Sequence, residues 1–279
     1  MTDGRAGAVP LTWLYTPGDR SDRVDTALAG DADVVIVDLE DAVSPAAKTV
    51  ARQAVSNVLA HIDRAVQVRV NTLSSPWGAD DLTAVRGLPL RVGVRIPKCE
   101  SAAEIAGIAD AVGDRTVHLL VESALGVERA FELATAHPRV ASVGLGEADL
   151  RAQLGVSDDA GLGWARGRIV NAAAAAGLPP PAMSVFANTR DADELAASCR
   201  IGRALGFVGR AAIHPAQLPV IRQCFTPTDA EIHHAREVLA AAEAGESVGH
   251  GAVALPDGRF VDLAIVLQAR RVLILAKGR

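Results

Sequence analysis

Apolar runs of strand length recur along the chain, and the segments between them place apolar residues at helical spacing. The runs are TWLYTP (Thr12–Pro17), DVVIVDLED (Asp33–Asp41), VQVRVN (Val66–Asn71), VGVRIPK (Val92–Lys98), VHLLV (Val117–Val121), VASVGLG (Val140–Gly146), MSVFAN (Met183–Asn188) and GFVGRAAIHP (Gly206–Pro215). Short apolar stretches that end in a glycine- or acid-bearing turn are those of parallel strands buried on both faces. The segments between them, such as PAAKTVARQAVSNVLAHI and SAAEIAGIADAV, are alanine-rich and amphipathic. Alternating strand and helix predicts a parallel sheet with helices outside it. Eight such units predict a (β/α)8 TIM barrel, whose chemistry collects at the C-terminal ends of the strands. An open doubly wound sheet is the alternative. No GxGxxG opens a helix after a strand, which counts against its nucleotide-binding version.

Beyond Pro227 the pattern changes. DAEIHHAREVLAAAEAG reads as one amphipathic helix with Thr226 or Thr228 as its cap. GAVALPDGRFVD reads as a turn or hairpin around Asp257-Gly258, and LAIVLQARRVLILAKGR as a final helix. The expected division is a catalytic barrel over 1–225 and an extension over 226–279, serving as a lid or oligomer contact.

Composition narrows the partners. Of 279 residues, 49% are hydrophobic and 22% charged, so a sizeable core is expected and disorder is not. The net charge of −5, with no basic run, argues against nucleic acid and anionic membrane as partners. A few arginines inside a cleft still accommodate small anions. Cys99, Cys199 and Cys224 are odd in number and widely spaced, which speaks against a disulfide framework and for a reducing compartment. Cys99 adjoins Lys98 but reads as a small apolar filler. The N-terminus carries no apolar signal core and no apolar run reaches membrane-spanning length, so a cytoplasmic protein is expected.

Polar residues gather at the expected strand ends. Arg20 follows strand one; Asp38, Glu40 and Asp41 close strand two; Arg69 and Asn71 lie at strand three; Lys98 follows strand four. Strand five delivers Glu122, strand six Glu147 and Asp149, and strand eight His214. Glu122 and Asp149 at one rim suit a hard divalent cation such as Mg2+, with positions left for substrate. As N-caps of the following helices they would need no ion, and both readings stand on the residues alone. Asp38 and Glu40 alternate and so face the same side, where either could bridge to an internal cation. Asp41 is expected to cap the next helix, and His214 to pin the last loop. Arg69 lies inside a strand, where a charge signals a site.

Taken together, TPGDR, VVIVDLEDAV, VRVN, PKCES, LVESALG, GEADL, AIHPAQ and GRFVD resemble, in order, the citrate lyase β-subunit-like or CoA-ester lyase family of aldolases. The resemblance implies a TIM barrel, usually a trimer, that binds Mg2+ (or Mn2+) and a CoA thioester. Its members cleave or form a carbon–carbon bond between an acyl thioester and a 2-oxo acid. By position, Glu122 and Asp149 would be metal ligands, with Glu122 also facing substrate. Arg20 and Arg69 would hold carboxylate and thioester-side oxygens, and Lys98 would line the site. Glu40 and Asp41 match the element near the metal and its waters. Asp262 matches the acid/base that a C-terminal lid inserts into a neighbouring subunit. The chain departs from the pattern in two places: Glu147 stands one position from where relatives carry an acid beside Asp149, and the lid before Asp262 is shortened.

Four activities share these residues: lyase on a malyl-, citramalyl- or citryl-type thioester, thioesterase or synthase, a subunit working on an acyl-carrier protein, and a pyruvate-type aldolase without CoA.

Overall fold

The computed structural model describes residues 9–247, 253–254 and 260–277. They divide into two compact units, one of Leu11–Arg222 and one of residues 9–10 with those from Gln223 onward.

The first unit is an α/β fold around a seven-stranded parallel sheet. In chain order the elements are β1 (Thr12–Pro17), α1 (Ser21–Ala29), β2 (Val34–Asp38), α2 (Lys48–Leu59), β3 (Val66–Arg69), α3 (Gly78–Arg86), β4 (Val92–Ile96) and α4 (Ala102–Ala111). Then come β5 (Val117–Val121), α5 (Ala124–Glu128), α6 (Ala130–Ala134), β6 (Val140–Leu145), α7 (Glu147–Leu154), α8 (Gly163–Ala175), α9 (Ala192–Ala204), β7 (Arg210–Ala212) and α10 (Leu218–Phe225). Every residue of β2 and β4 is buried, as their unbroken apolar runs require. α2 buries Ala51, Val55 and Leu59, one face at four-residue spacing.

The strand order is β6-β5-β4-β3-β2-β1-β7. Six strands follow one another without reversal, and the seventh returns beside the first. A doubly wound sheet reverses at a switch point in its middle, so that alternative falls. The curl brings the edges together: Met183 bridges to Arg210 outside β7, while the Glu147 N–H, just past β6, donates to Ser184 Oγ at 3.3 Å.

The expected seventh of eight strands is corrected here. Met183–Asn188 contributes only that bridge, with Met183 N–H donating to the Gly209 carbonyl at 3.0 Å. Beyond Met183 the carbonyls of Ser184 and Phe186 accept side-chain N–H groups, from Arg210 Nε at 3.0 Å and Gln217 Nε2 at 2.8 Å, in place of a ladder. The last strand also shrinks to Arg210–Ala212, and Gly209 just before it turns through φ +77°, where a Cβ would collide with the Leu11 backbone.

At the N-terminal ends of the strands, Asp33 accepts the N–H groups of Leu11 and Thr12 and pairs with Arg222 at 2.9 Å. This is the face where a barrel keeps its stability rather than its chemistry.

In the second unit, α11 (Asp229–Ser247) and α12 (Leu263–Ala276) bury Ala235, Val238, Val261, Val266 and Ala269. β8 (Val253–Ala254) and β9 (Phe260–Val261) pair antiparallel, as a hairpin requires; its proposed turn at Asp257-Gly258 lies outside the described residues. Thr228 caps α11, its Oγ1 accepting the Glu231 N–H at 3.2 Å. Among the described residues no helix is long and apolar enough to cross a membrane.

Candidate active site

The C-terminal ends of β2 to β6 carry the polar residues. Asp38 and Arg69 are in register on neighbouring strands. Arg69 Nε donates to Asp38 Oδ1 at 2.7 Å and Nη2 to Oδ2 at 2.6 Å. Arg69 Nη1 lies 2.9 Å from Glu40 Oε2 and 3.5 Å from Asp41 Oδ2. Its other face is covered by the Tyr15 ring, 5.2 Å away. Burial alone would lower the Arg69 pKa, but Asp38 and the neighbouring anions raise it, so the charge is permanent.

Asp38 does more than pair. Its carboxylate also accepts the N–H groups of Glu40 (2.9 Å) and Ala42 (3.1 Å), which shapes the loop after β2. The expected capping role of Asp41 is corrected: the next helical turn, Pro45–Ala47, opens at Ser44 with no side-chain cap, and Asp41 faces Arg69 and Lys98 instead. Beneath the loop, the buried Lys48 ammonium donates to the carbonyls of Leu39 (2.9 Å) and Glu40 (2.8 Å).

Lys98 joins two parts of the site. Its N–H donates to Glu122 Oε2 at 3.0 Å, and its Nζ meets Glu40 Oε1 at 2.5 Å. Its φ of 51° makes it the sole non-glycine residue in the left-handed region among those described, the kind of strain that clusters at functional sites. Burial raises the Glu40 pKa above its ordinary value, although Arg69 and Lys98 oppose this.

Glu122 and Asp149 line one cavity of about 500 Å³ with Lys98, Asn71, Ser123 and Gln153. Burial pushes the Glu122 carboxyl up to about 7; Arg69 opposes that, and Glu40 and Asp149 add to it. Neither acid is a cap. Ser123 caps α5 by accepting the Gly126 N–H at 3.1 Å, and Gly146 opens α7 with no side-chain cap. The residues fit a hard cation: two oxygen donors, one destabilised as an anion by burial and by the other's charge, at a cavity open to further oxygen ligands. Among the described residues no third acidic, histidine or cysteine side chain completes a cage. Water and substrate would fill the remaining positions, as Mg2+ prefers.

The structure does not bring every expected residue here. Arg20 pairs with Asp22 at the surface, Nη2 to Oδ2 at 2.9 Å. Glu147 is bound on both oxygens by Arg166, at 2.8 and 2.6 Å. His214 caps the turn at Pro215–Gln217, accepting the Ala216 N–H at 3.1 Å. Cys99 is buried, its thiol donating to the Ile96 carbonyl at 3.2 Å, and burial pushes its pKa up to about 12. Asp262, in the second unit, caps α12 by accepting the Ile265 N–H at 3.0 Å.

Some supports were not read from the sequence. Asp81, fully buried on α3, accepts the backbone (2.9 Å) and side-chain (2.6 Å) N–H groups of Asn71 and pairs with Arg52 at 2.7 Å. A doubled acid, Asp80-Asp81, in a helix's first turn was the available signal.

These features define a class: an α/β protein that holds acids, an arginine and a lysine at the C-terminal rim of a curled parallel sheet. Residues 11–215 match the family model described as HpcH/HpaI aldolase/citrate lyase. A (3S)-malyl-CoA thioesterase of Cereibacter sphaeroides is 37% identical, over 95% of this chain and 94% of that protein. Citrate lyase subunit beta of Leuconostoc mesenteroides subsp. cremoris is 33% identical, over 96% and 93%. Among solved structures, the protein CitE of Mycobacterium tuberculosis in complex with magnesium, acetoacetate and coenzyme A matches with a TM-score of 0.83 and 34% identity, covering 98% of this chain and 99% of that one. The chain belongs to the HpcH/HpaI aldolase/citrate lyase family.

Proposed function

We propose that the chain is a Mg2+-dependent carbon–carbon lyase acting on a 3-hydroxyacyl-CoA thioester of the malyl, citramalyl or citryl type. Its products are an acyl-CoA and a 2-oxo acid. The observation that carries this reading is the shared cavity of Glu122 and Asp149, with Glu122 tied through Lys98 to the Glu40–Arg69 cluster. The complex of the M. tuberculosis CitE protein with magnesium, acetoacetate and coenzyme A supports the same ligands here. The curled sheet supports a (β/α)8 barrel closed through the Met183 segment.

Glu122 and Asp149 would hold the ion, which when bound lowers the pKa of the substrate hydroxyl and offsets charge on the forming carbonyl. Glu40 is the proton acceptor at that hydroxyl, its raised pKa matched to taking up a proton. As the carbon–carbon bond breaks, its electron pair passes to the thioester, and the one Arg69 N–H not engaged by Asp38, Glu40 or Asp41, on Nη2, is the donor for the enolate oxygen. Lys98 keeps Glu40 oriented. Asp262 is the proton donor to the enolate carbon and reaches it from a second copy in a homotrimer, both by family resemblance. Arg20 binds the substrate carboxylate by exchanging its exposed pair with Asp22, a weak contact in water. Among the described residues Cys99, Cys199 and Cys224 form no disulfide, which suits a reducing cytoplasm.

A thioesterase outcome is the second reading, favoured by the relative at 37% identity. Incubation with Mg2+ and malyl-, citramalyl- and citryl-CoA, with products resolved by mass spectrometry, separates the two. The Glu122→Gln/Asp149→Asn double variant is the control. Acyl-CoA with a 2-oxo acid, absent from the variant, supports the lyase; free CoA with an intact hydroxy acid supports the thioesterase. No turnover by folded, Mg2+-loaded protein would sink both and point to a carrier-protein thioester.

A further inference from the structure

The displaced acid of the GEADL motif has a use of its own. Glu147 is the first residue of α7 and Asp149 the third. α7 spans eight residues, and Gly146 at its N-cap offers no side-chain cap, so nothing within the helix sets its start. The constraint comes from α8. Arg166, 3% exposed, donates Nε to Glu147 Oε1 and Nη2 to Glu147 Oε2, at 2.8 and 2.6 Å. Arg166 Nη2 also meets Asp159 Oδ2 at 3.0 Å, and Asp159 Oδ1 meets Arg151 Nη2, in the last turn of α7, at 2.5 Å. Both ends of α7 are thus tied to one buried guanidinium, while Ser184 Oγ accepts the Glu147 N–H.

A third ligand for the cation is one explanation of Glu147, but both its oxygens are occupied. Stability is another. A buried ion pair typically gives no net gain over an apolar pair of the same shape, so stability alone is a weak reason for it. A planar two-bonded fork does supply direction.

We propose that Arg166 is a positioning residue for the metal site: through Glu147 it fixes the first turn of α7 and hence the approach of Asp149 to the ion shared with Glu122. This rests on Glu122 and Asp149 being the ligands.

The test compares the parent chain, Arg166→Met, Arg166→Lys and the apolar double variant Glu147→Leu/Arg166→Met. Mg2+ affinity is read by calorimetry, and melting temperature is read without metal. Arg166→Met leaves Glu147 buried and alone, so it melts lower and binds Mg2+ more weakly. The double variant recovers the parent's melting temperature, yet binds Mg2+ about 10–100-fold more weakly, the usual effect of losing an outer-shell partner. Arg166→Lys keeps the charge without the fork; it stays folded and binds about tenfold more weakly. Parental Mg2+ affinity in the folded double variant would overturn the proposal, and the same result in Arg166→Lys overturns it if the double variant does not fold. A parent chain that binds no Mg2+ removes the ligand assignment itself, and that failure is visible before any variant is compared.

Discussion

Asp38 and Arg69 stand in register on β2 and β3 and meet through two nitrogens and two oxygens, at 2.7 and 2.6 Å. The strands bring the groups together, and the fork fixes which way the guanidinium faces. Arg69→Lys keeps the charge but cannot span both oxygens. Turnover at saturating Mg2+ is expected to fall by about 10²–10³, the cost of losing an aimed donor. Asp38→Asn breaks a buried pair from the other side and also lowers stability, by about 3–5 kcal/mol. Steady-state kinetics and denaturant melts check both. An Arg69→Lys protein within a few-fold of the parent would contradict the role.

Gly146 makes room for Glu122. A Cβ there would overlap Glu122 Cγ and stand 2.5 Å from Oε1 and 2.8 Å from Cδ. Two residues earlier, a Cβ on Gly144 would meet its nearest neighbours at 3.8 Å, an ordinary contact. Gly146→Ala should therefore displace the carboxylate and weaken Mg2+ binding at least tenfold, with overpacking costing about 1–3 kcal/mol. Gly144→Ala should leave Mg2+ affinity at the parent's value. Calorimetric titration of the pair decides; equal affinities would mean that Glu122 does not hold the ion.

The contrast between these positions shows what was legible in the chain. Strands β1 to β6 announce themselves as apolar runs, and Glu122 was readable because it ends one of them. Arg69 stood out as a charge within a strand. Lys98 did not reveal its task, because that depends on a left-handed backbone that aims its N–H at Glu122 while its side chain reaches Glu40. The Glu147–Arg166 pair joins positions 19 apart through helix packing, which no local period encodes. Acids after strands usually cap the next helix, but Asp41 is drawn instead to Arg69 and Lys98, two cations that other strands bring to it. Met183–Asn188 has the apolar pattern of a strand, but the Arg210 and Gln217 side chains take the Ser184 and Phe186 carbonyls that a ladder would use.

Removing the metal should be decisive for activity and moderate for stability. Chelation is expected to abolish thioester turnover, and Mn2+, which accepts the same oxygen ligands, to restore it. Mg2+ at a hundred times its dissociation constant adds about 2.7 kcal/mol to the unfolding free energy. Differential scanning fluorimetry should show that gain as a rise in Tm in the parent and none in Glu122→Gln. A Tm rise of equal size in Glu122→Gln would place the ion elsewhere.

His118 gives the first unit a built-in acid sensitivity away from the rim. Its ring is partly buried on β5, with Nδ1 2.9 Å from Ser142 Oγ and Nε2 3.1 Å from Thr116 Oγ1. Burial, helped by the positive charge of Arg95 on the adjacent strand, lowers its pKa to about 3. In the unfolded chain the same ring titrates near about 6.5. Between these values the unfolded state holds a proton that the folded state does not. Stability therefore falls as the pH drops below the unfolded value, by up to about 1.4 kcal/mol per pH unit from this group. At pH 5 that amounts to about 2 kcal/mol relative to pH 7.5. His118→Asn keeps a polar side chain among the same hydroxyls but does not titrate. Its loss of stability between pH 7.5 and pH 5, measured by urea melts, should be smaller than the parent's by that amount. Parallel losses in the two proteins would show that His118 takes up its proton in the folded state as readily as in the unfolded one.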